Sequence, residues 1–246
     1  KANTKLLFLE TPSNPLGEVA DLEALAELAH SIGALLVVDN SLLSPVGSQP
    51  LKHGADISVS SATKAIDGHG RVMGGVLAGS EELMTQVAVY CNSCGLAMSP
   101  FNAWQLLSGV ETLSLRMEKQ FDNALKIAQW LQQQPQVQAV YYTGLPDHPQ
   151  AELIRKQQNG GGIVVGFEVA DTDAAWKVVD SVELFSRTAN LGDVRSTITH
   201  PWTTTHGRMQ PEEKLAANIR PGLVRLSVGL EYVDDLIDDL KQALAR

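Results

Sequence analysis

The stretch Ser60-Ser61-Ala62-Thr63-Lys64 decides how this chain is read. Ile57 and Val59 make Asp56 to Ser60 a strand, so Lys64 stands just beyond a strand's carboxyl end. Asp67-Gly68-His69-Gly70-Arg71-Val72-Met73-Gly74-Gly75 follows as a glycine-rich turn, with a further strand expected over Val72 to Ala78. Upstream, Leu35-Leu36-Val37-Val38 is a buried strand that runs into Asp39-Asn40. Leu6 to Leu9 is another, running into Glu10-Thr11-Pro12-Ser13-Asn14-Pro15. Between these two strands, Asp21 can cap a helix with Leu22, Leu25, Ala26, Leu28, Ala29 and Ile32 on one face, and Gly33 ends it. Strand, helix and strand close a βαβ unit. The fold class is therefore α/β with a mostly parallel sheet, in which functional groups collect at the carboxyl ends of the strands.

Lys64 and Asp39 lie at the ends of neighbouring strands. A lysine and an acid so placed are the minimum parts for holding pyridoxal phosphate (PLP): the amine forms a Schiff base with the aldehyde, and the acid keeps the pyridine nitrogen protonated. The Ser61 and Thr63 hydroxyls, with nearby backbone N–H groups, can hold the phosphate. Taken alone, Asp39 is equally a helix cap or turn residue. The loop of Asn14 reads either as a rigid connector or as a support that points the Asn14 amide into the site. The isomer of its two X-Pro bonds is open, with Asn14-Pro15 favoured as cis. Arg225 lies inside the apolar strand Leu223 to Val228, where an unpaired guanidinium is costly. Either a carboxylate of the protein or an edge position relieves that cost, or Arg225 grips a substrate carboxylate.

Composition narrows the possibilities. The chain has 246 residues, 44% of them hydrophobic, and a net charge of −9. No run of Lys and Arg is present, which argues against nucleic acid and anionic membranes as partners. No apolar run reaches the length of a membrane helix and no signal peptide is visible, so a cytoplasmic location is the default. The two cysteines, Cys91 and Cys94, sit in a helical context unlike a redox-active pair and read as free thiols. No histidine cluster has metal-ligand spacing, so no metal is expected.

Downstream, residues 81–93 read as helix, and Ser99-Pro100 opens another that Gly109 breaks or kinks. A long amphipathic helix is expected from about Val110 to Gln134. Pro135 ends it, which divides the chain into 1–134, a large PLP-binding domain, and 135–246, a smaller C-terminal α/β domain. In the second unit strands are expected at Val137 to Tyr142, Ile163 to Val169, Val182 to Arg187 and Leu223 to Val228, with helices at Asp171 to Val179 and near the carboxyl end. Residues 189–222 read as irregular, and so long a loop is usually functional.

Together these stretches resemble the Cys/Met-metabolism family of PLP enzymes, the cystathionine γ-synthase-like group. The residues that carry the resemblance are Glu10-Thr11-Pro12-Ser13-Asn14-Pro15, Val37-Val38-Asp39-Asn40, Ser61-Ala62-Thr63-Lys64, Ser99-Pro100-Phe101, Thr204-Thr205-His206 and Arg225-Leu226-Ser227-Val228-Gly229-Leu230-Glu231. The resemblance implies a fold-type I, transferase-like α/β enzyme. Lys64 would carry the cofactor and shuttle protons, Asp39 would pair with the pyridine nitrogen, and Ser61 and Thr63 would bind the phosphate. Asn14 would lie near the cofactor's 3-oxygen, and Arg225, with Asn190, would bind the amino-acid substrate. Asn190-Leu191-Gly192-Asp193, with Asp67-Gly68-His69-Gly70-Arg71, is similar to the branch that replaces the γ-substituent of O-acylhomoserines, O-succinyl-L-homoserine in particular, with sulfide. Cystathionine γ-synthase, γ-lyase and methionine γ-lyase activities are the alternatives within the family, and a non-catalytic scaffold fragment is the alternative outside it. Ala65 departs from the family's tyrosine after the lysine. The chain begins at Lys1 and is in a strand by Lys5, which points to the later part of a longer polypeptide. Family members carry a long preceding segment with the aromatic residue that stacks on PLP and a tyrosine–arginine pair that reaches a neighbouring subunit's phosphate. The family further implies a homotetramer built from dimers.

Overall fold

The computed structural model describes residue 1 and residues 3–246. The chain opens with β1 (Leu6–Glu10), α1 (Leu22–Ser31) and β2 (Leu35–Asp39). Asp21 caps α1 by accepting the Ala24 N–H at 3.1 Å. The helix buries Leu22, Ala26 and Ala29 against Leu36 and Val38. Gly33, at φ +67°, supplies the left-handed turn that lets the chain re-enter the sheet. Then come α2 (Ser44–Gly47), a 3₁₀ turn at Pro50–His53, β3 (Ile57–Ser61), a single π-helical turn at Ala62–Ile66 and β4 (Gly75–Gly79). The sheet order is β1-β2-β3-β4, the first three strands parallel and β4 antiparallel to β3. β4 begins later than the expected Val72. Residues 72–74 are held back because the Ala62 and Thr63 N–H groups both donate to Gly74 O, at 2.9 and 3.3 Å.

Three helices follow: α3 (Glu81–Ser93), α4 (Pro100–Val110) and α5 (Leu113–Leu131). Ser80 and Ser99 cap the first two. The helix break expected at Gly109 falls instead at residues 111–112. Gly109 lies inside α4, where a Cβ would collide with Ile66 O. Its lack of a side chain lets α4 approach the π turn that carries Lys64, and has nothing to do with ending the helix. α5 serves two cores. Leu113 and Met117 pack with Ala62, Ala65 and Ile66. Ala124, Ile127, Ala128 and Leu131 pack with the second sheet.

That sheet is built from β5 (Ala139–Tyr141), then after α6 (Ala151–Gln157) β6 (Val164–Glu168), after α7 (Thr172–Ser181) β7 (Ser186–Arg187) and β8 (Thr197–Thr199), and after α8 (Pro211–Ala216) β9 (Leu223–Ser227). The helix α9 (Val233–Leu244) covers it with α5 and α7. The strand order is β5-β6-β9-β8-β7. Two expectations are corrected here. Residues 189–222 are not irregular throughout: they hold α8 and the wholly buried β8, whose Ile198 pairs with Leu226. The strand expected over 182–187 shrinks to two residues. The Asp239 carboxylate takes the N–H groups of Glu183, Leu184 and Phe185 at 2.8 to 3.1 Å, which removes them from the ladder. Several apolar side chains stay exposed, among them Phe8 on β1 and Phe101, Trp104 and Leu107 on successive turns of α4.

Candidate active site

β3 ends at Ser61, and the π turn after it is kinked at Lys64, whose φ of −88° and ψ of −127° depart from helix. The kink sends the Lys64 side chain out of the turn, and its Nζ donates to Asn190 Oδ1 at 2.9 Å. Gly192, at φ +80°, leaves room for this, since a Cβ there would come within 2.9 Å of Lys64 Cβ. Burial lowers the Lys64 pKa from the ordinary lysine value, and the nearby Arg225 charge lowers it further. A larger fraction of Lys64 is therefore neutral amine, the form that attacks carbonyls and accepts protons.

Arg225 reaches the same place from β9. Only 3% exposed, it donates to Ala189 O at 2.7 Å, to Asn190 O at 3.4 Å and to Asn14 Oδ1 at 3.4 Å. All these acceptors are neutral. Among the described residues no carboxylate pairs with Arg225, and its Nε has no hydrogen-bond partner. Burial brings its pKa down to about 10. Of the two sequence-level explanations, an internal carboxylate is not what the structure shows, and β9 is not an edge strand but lies between β6 and β8. The structure thus brings Lys64, Asn190, Arg225 and Asn14 into one hydrogen-bonded group.

Asp39 ends β2, the strand between β1 and β3. Its Oδ1 accepts the Ser41 N–H at 2.9 Å, as a turn residue would, while its Oδ2 takes part in no hydrogen bond among the described residues. Ser61 donates its N–H to Ser41 Oγ at 2.7 Å, and its own hydroxyl makes no hydrogen bond among the described residues. Thr63 differs. Its Oγ1 accepts the Gly74 N–H at 3.0 Å and donates to Gly74 O at 3.4 Å, so this hydroxyl is engaged in closing the turn. Both prolines of the Asn14 loop follow cis peptide bonds.

Glu10, Ser41 and Arg116 escaped the sequence reading of the site. Glu10 is in register with Asp39, and burial, with the Asp39 charge, raises its pKa. Its signal was available: Glu10 ends β1 as Asp39 ends β2. Ser41 and Arg116 act on backbone groups far along the chain, and no motif announces them.

These features fit PLP. There is a half-buried amine of lowered pKa, a carboxylate on the neighbouring strand with one oxygen free among the described residues, and a serine hydroxyl three residues before the lysine with no partner among them. A buried guanidinium that meets only neutral acceptors among the described residues also suits an amino-acid carboxylate. A cavity of about 520 Å³ lined by Phe121, Tyr142 and Arg155 does not include Lys64 or Arg225.

The class so defined is that of α/β PLP-dependent enzymes. The chain belongs to the Cys/Met metabolism PLP-dependent enzyme family, whose model matches residues 1–245. Over its whole length it is 53% identical to an O-succinylhomoserine sulfhydrylase of Pseudomonas aeruginosa, of which it covers 61%. It is 44% identical to a chloroplastic cystathionine β-lyase of Arabidopsis thaliana, over 96% of this chain and 51% of that protein. The crystal structure of cystathionine γ-synthase from Xanthomonas oryzae pv. oryzae in complex with cystathionine superposes with a TM-score of 0.94 at 42% identity, over 98% of this chain and 63% of that one. The chain thus spans 51–63% of the length of these relatives, 61% for the first of them.

Proposed function

We propose that this chain carries the catalytic lysine and substrate-binding arginine of a PLP-dependent γ-replacement enzyme. Its reaction exchanges the succinyloxy group of O-succinyl-L-homoserine for sulfide, giving homocysteine and succinate in methionine biosynthesis. The observation that carries the proposal is Arg225, a buried guanidinium that among the described residues has no carboxylate partner and an Nε without a hydrogen bond, and that donates to the residue that holds Lys64 Nζ. The choice of acyl group and sulfur donor is supported by the identity to O-succinylhomoserine sulfhydrylases, at 53% and 44%.

Arg225 would hold the substrate's α-carboxylate, with charge-assisted hydrogen bonds that its neutral partners do not supply. Asp39, with one oxygen free, would hold the cofactor's ring nitrogen, and Ser61 its phosphate, with Thr63 fixing the turn they share. Asn14 would lie beside the ring's 3-oxygen. PLP, when bound, supplies the electron sink for the charge left at the substrate's Cα. Lys64 as a neutral amine would take the Cα proton, give it up, and then take a Cβ proton; succinate leaves Cγ as its carboxylate, hydrosulfide adds there, and protons return to Cβ and Cα as homocysteine is released. Asn190 Oδ1 would keep Nζ on the line between these positions. The exposed Phe101, Trp104 and Leu107 on α4 would serve association with further copies in the homotetramer that the family resemblance implies.

The lyases among the relatives, at 43–44% identity, keep elimination as the second reading. Product analysis separates the two. With O-succinyl-L-homoserine and sulfide, homocysteine and succinate in equal amounts are expected. A 2-oxo acid and ammonia as the main products would replace the proposal with a lyase, and cystathionine formed preferentially from cysteine would replace it with a cystathionine synthase.

A further inference from the structure

Arg116 is an arginine on α5 that is only 5% exposed, yet it makes no salt bridge among the described residues. Its guanidinium is spent on carbonyl oxygens. Nη1 donates to Ala65 O at 2.7 Å, and Nη2 to Gly109 O at 2.6 Å and Ile66 O at 3.2 Å. Nε donates to Thr112 Oγ1 at 3.1 Å. Ala65 and Ile66 are the two residues that follow Lys64, in the π turn whose kink lies at Lys64 itself. The surroundings are shaped for this contact. Gly68, at φ +68°, has no room for a Cβ beside the guanidinium, and Gly109 brings the end of α4 onto the Ile66 carbonyl that Arg116 also holds. From the opposite side Gly192 abuts Lys64 Cβ, and Val194 N donates to Gly68 O at 2.7 Å.

From this geometry we infer that Arg116 is a positioning residue for Lys64: by clamping the carbonyls of residues 65 and 66 it holds the kink that aims Nζ at Asn190 Oδ1. The planar fork with several donors is what the job requires. A lysine offers a single point charge that cannot meet three carbonyls in fixed directions. The inference rests on the reading of Lys64 as the catalytic amine, and its test is arranged so that the two fail separately.

The test is competitive acetylation of the folded protein across a pH series, with mass spectrometry reporting the titration and reactivity of Lys64 against the other lysines. It needs no PLP. In the wild type Lys64 should titrate below its ordinary range, because burial and the Arg225 charge disfavour the protonated amine. In Arg116→Met the turn relaxes, Nζ leaves Asn190 and enters solvent, and the Lys64 titration moves up toward the ordinary value. Arg116→Lys should restore it only in part. The PLP-loaded Arg116→Met enzyme should lose about 100-fold in kcat, the scale of misplacing a reacting group by roughly 1 Å, with KM little changed because Arg225 is untouched. If Arg116→Met does not fold, Thr112→Val, at an exposed residue, frees one side of the guanidinium and should move the Lys64 titration in the same direction by less. An unmoved Lys64 titration in the variant that folds, with only thermal stability lowered, would overturn the inference. Failure of wild-type Lys64 to bind PLP would instead overturn the functional proposal and leave the acetylation result standing.

Discussion

Lys64→Ala is expected to abolish turnover while leaving the fold intact. Lys64 is half-buried, and its side chain makes one hydrogen bond, to Asn190. Truncation should therefore cost no more than about 1 kcal/mol of stability, as is usual away from a packed core. Its chemical cost is far greater. A positioned general base contributes typically ~10²–10⁴ in rate, and in the proposed mechanism the same amine would also be the covalent anchor of the cofactor, so the two losses would compound. The measurement is homocysteine formation from O-succinyl-L-homoserine and sulfide at saturating PLP, alongside a thermal melt. A Lys64→Ala protein that still turns over would remove Lys64 from the mechanism and, with it, the assignment.

Arg225→Met should separate stability from binding. Burying a cation without a counter-charge costs several kcal/mol after relaxation. Arg225 offsets that only with neutral acceptors, and leaves its Nε unpaired. An unbranched apolar residue of similar reach should therefore leave the melting temperature unchanged or raise it. Substrate affinity should fall by about 10- to 150-fold, the equivalent of the ~1.5–3 kcal/mol carried by a hydrogen bond to a charged group. The variant should also move the pH profile. The Arg225 charge is the second cause, after burial, of the lowered Lys64 pKa. Without it that pKa rises, less neutral amine is present at a given pH, and the rise in rate with pH shifts to higher pH. A lower melting temperature with unchanged substrate affinity would mean that Arg225 is a structural residue.

Much of this architecture is legible in the residues, and the exceptions have physical causes. β1, β2 and β3 announce themselves because buried parallel strands need continuous apolar runs such as Leu35-Leu36-Val37-Val38. Arg225 stands out for the converse reason, as a charge where the sheet wants none. β8 does not stand out. Thr197-Ile198-Thr199 has one apolar residue, and its burial is conferred by β9 and β7 from other parts of the chain. Gly109 misleads because glycine serves two purposes, ending helices and admitting a close neighbour, and only the position of Ile66 O shows which applies. Arg116 is silent because its partners, Thr112 Oγ1 apart, are backbone oxygens, which carry no residue identity, and those of Ala65 and Ile66 lie 51 and 50 positions away. The departure at Ala65 also finds its place: the side chain is buried against Ile66, Met117 and their neighbours, and its carbonyl is the one that Arg116 grips most closely within the turn.

The most direct test of the central claim is to add PLP to the purified protein, reduce with borohydride, and map the modified peptide by mass spectrometry. The account predicts a visible absorbance band that reduction abolishes, and a single phosphopyridoxyl group on Lys64, lost in Lys64→Ala. A stable modification on another lysine, with Lys64 unmodified in a protein that turns over substrate, would contradict it.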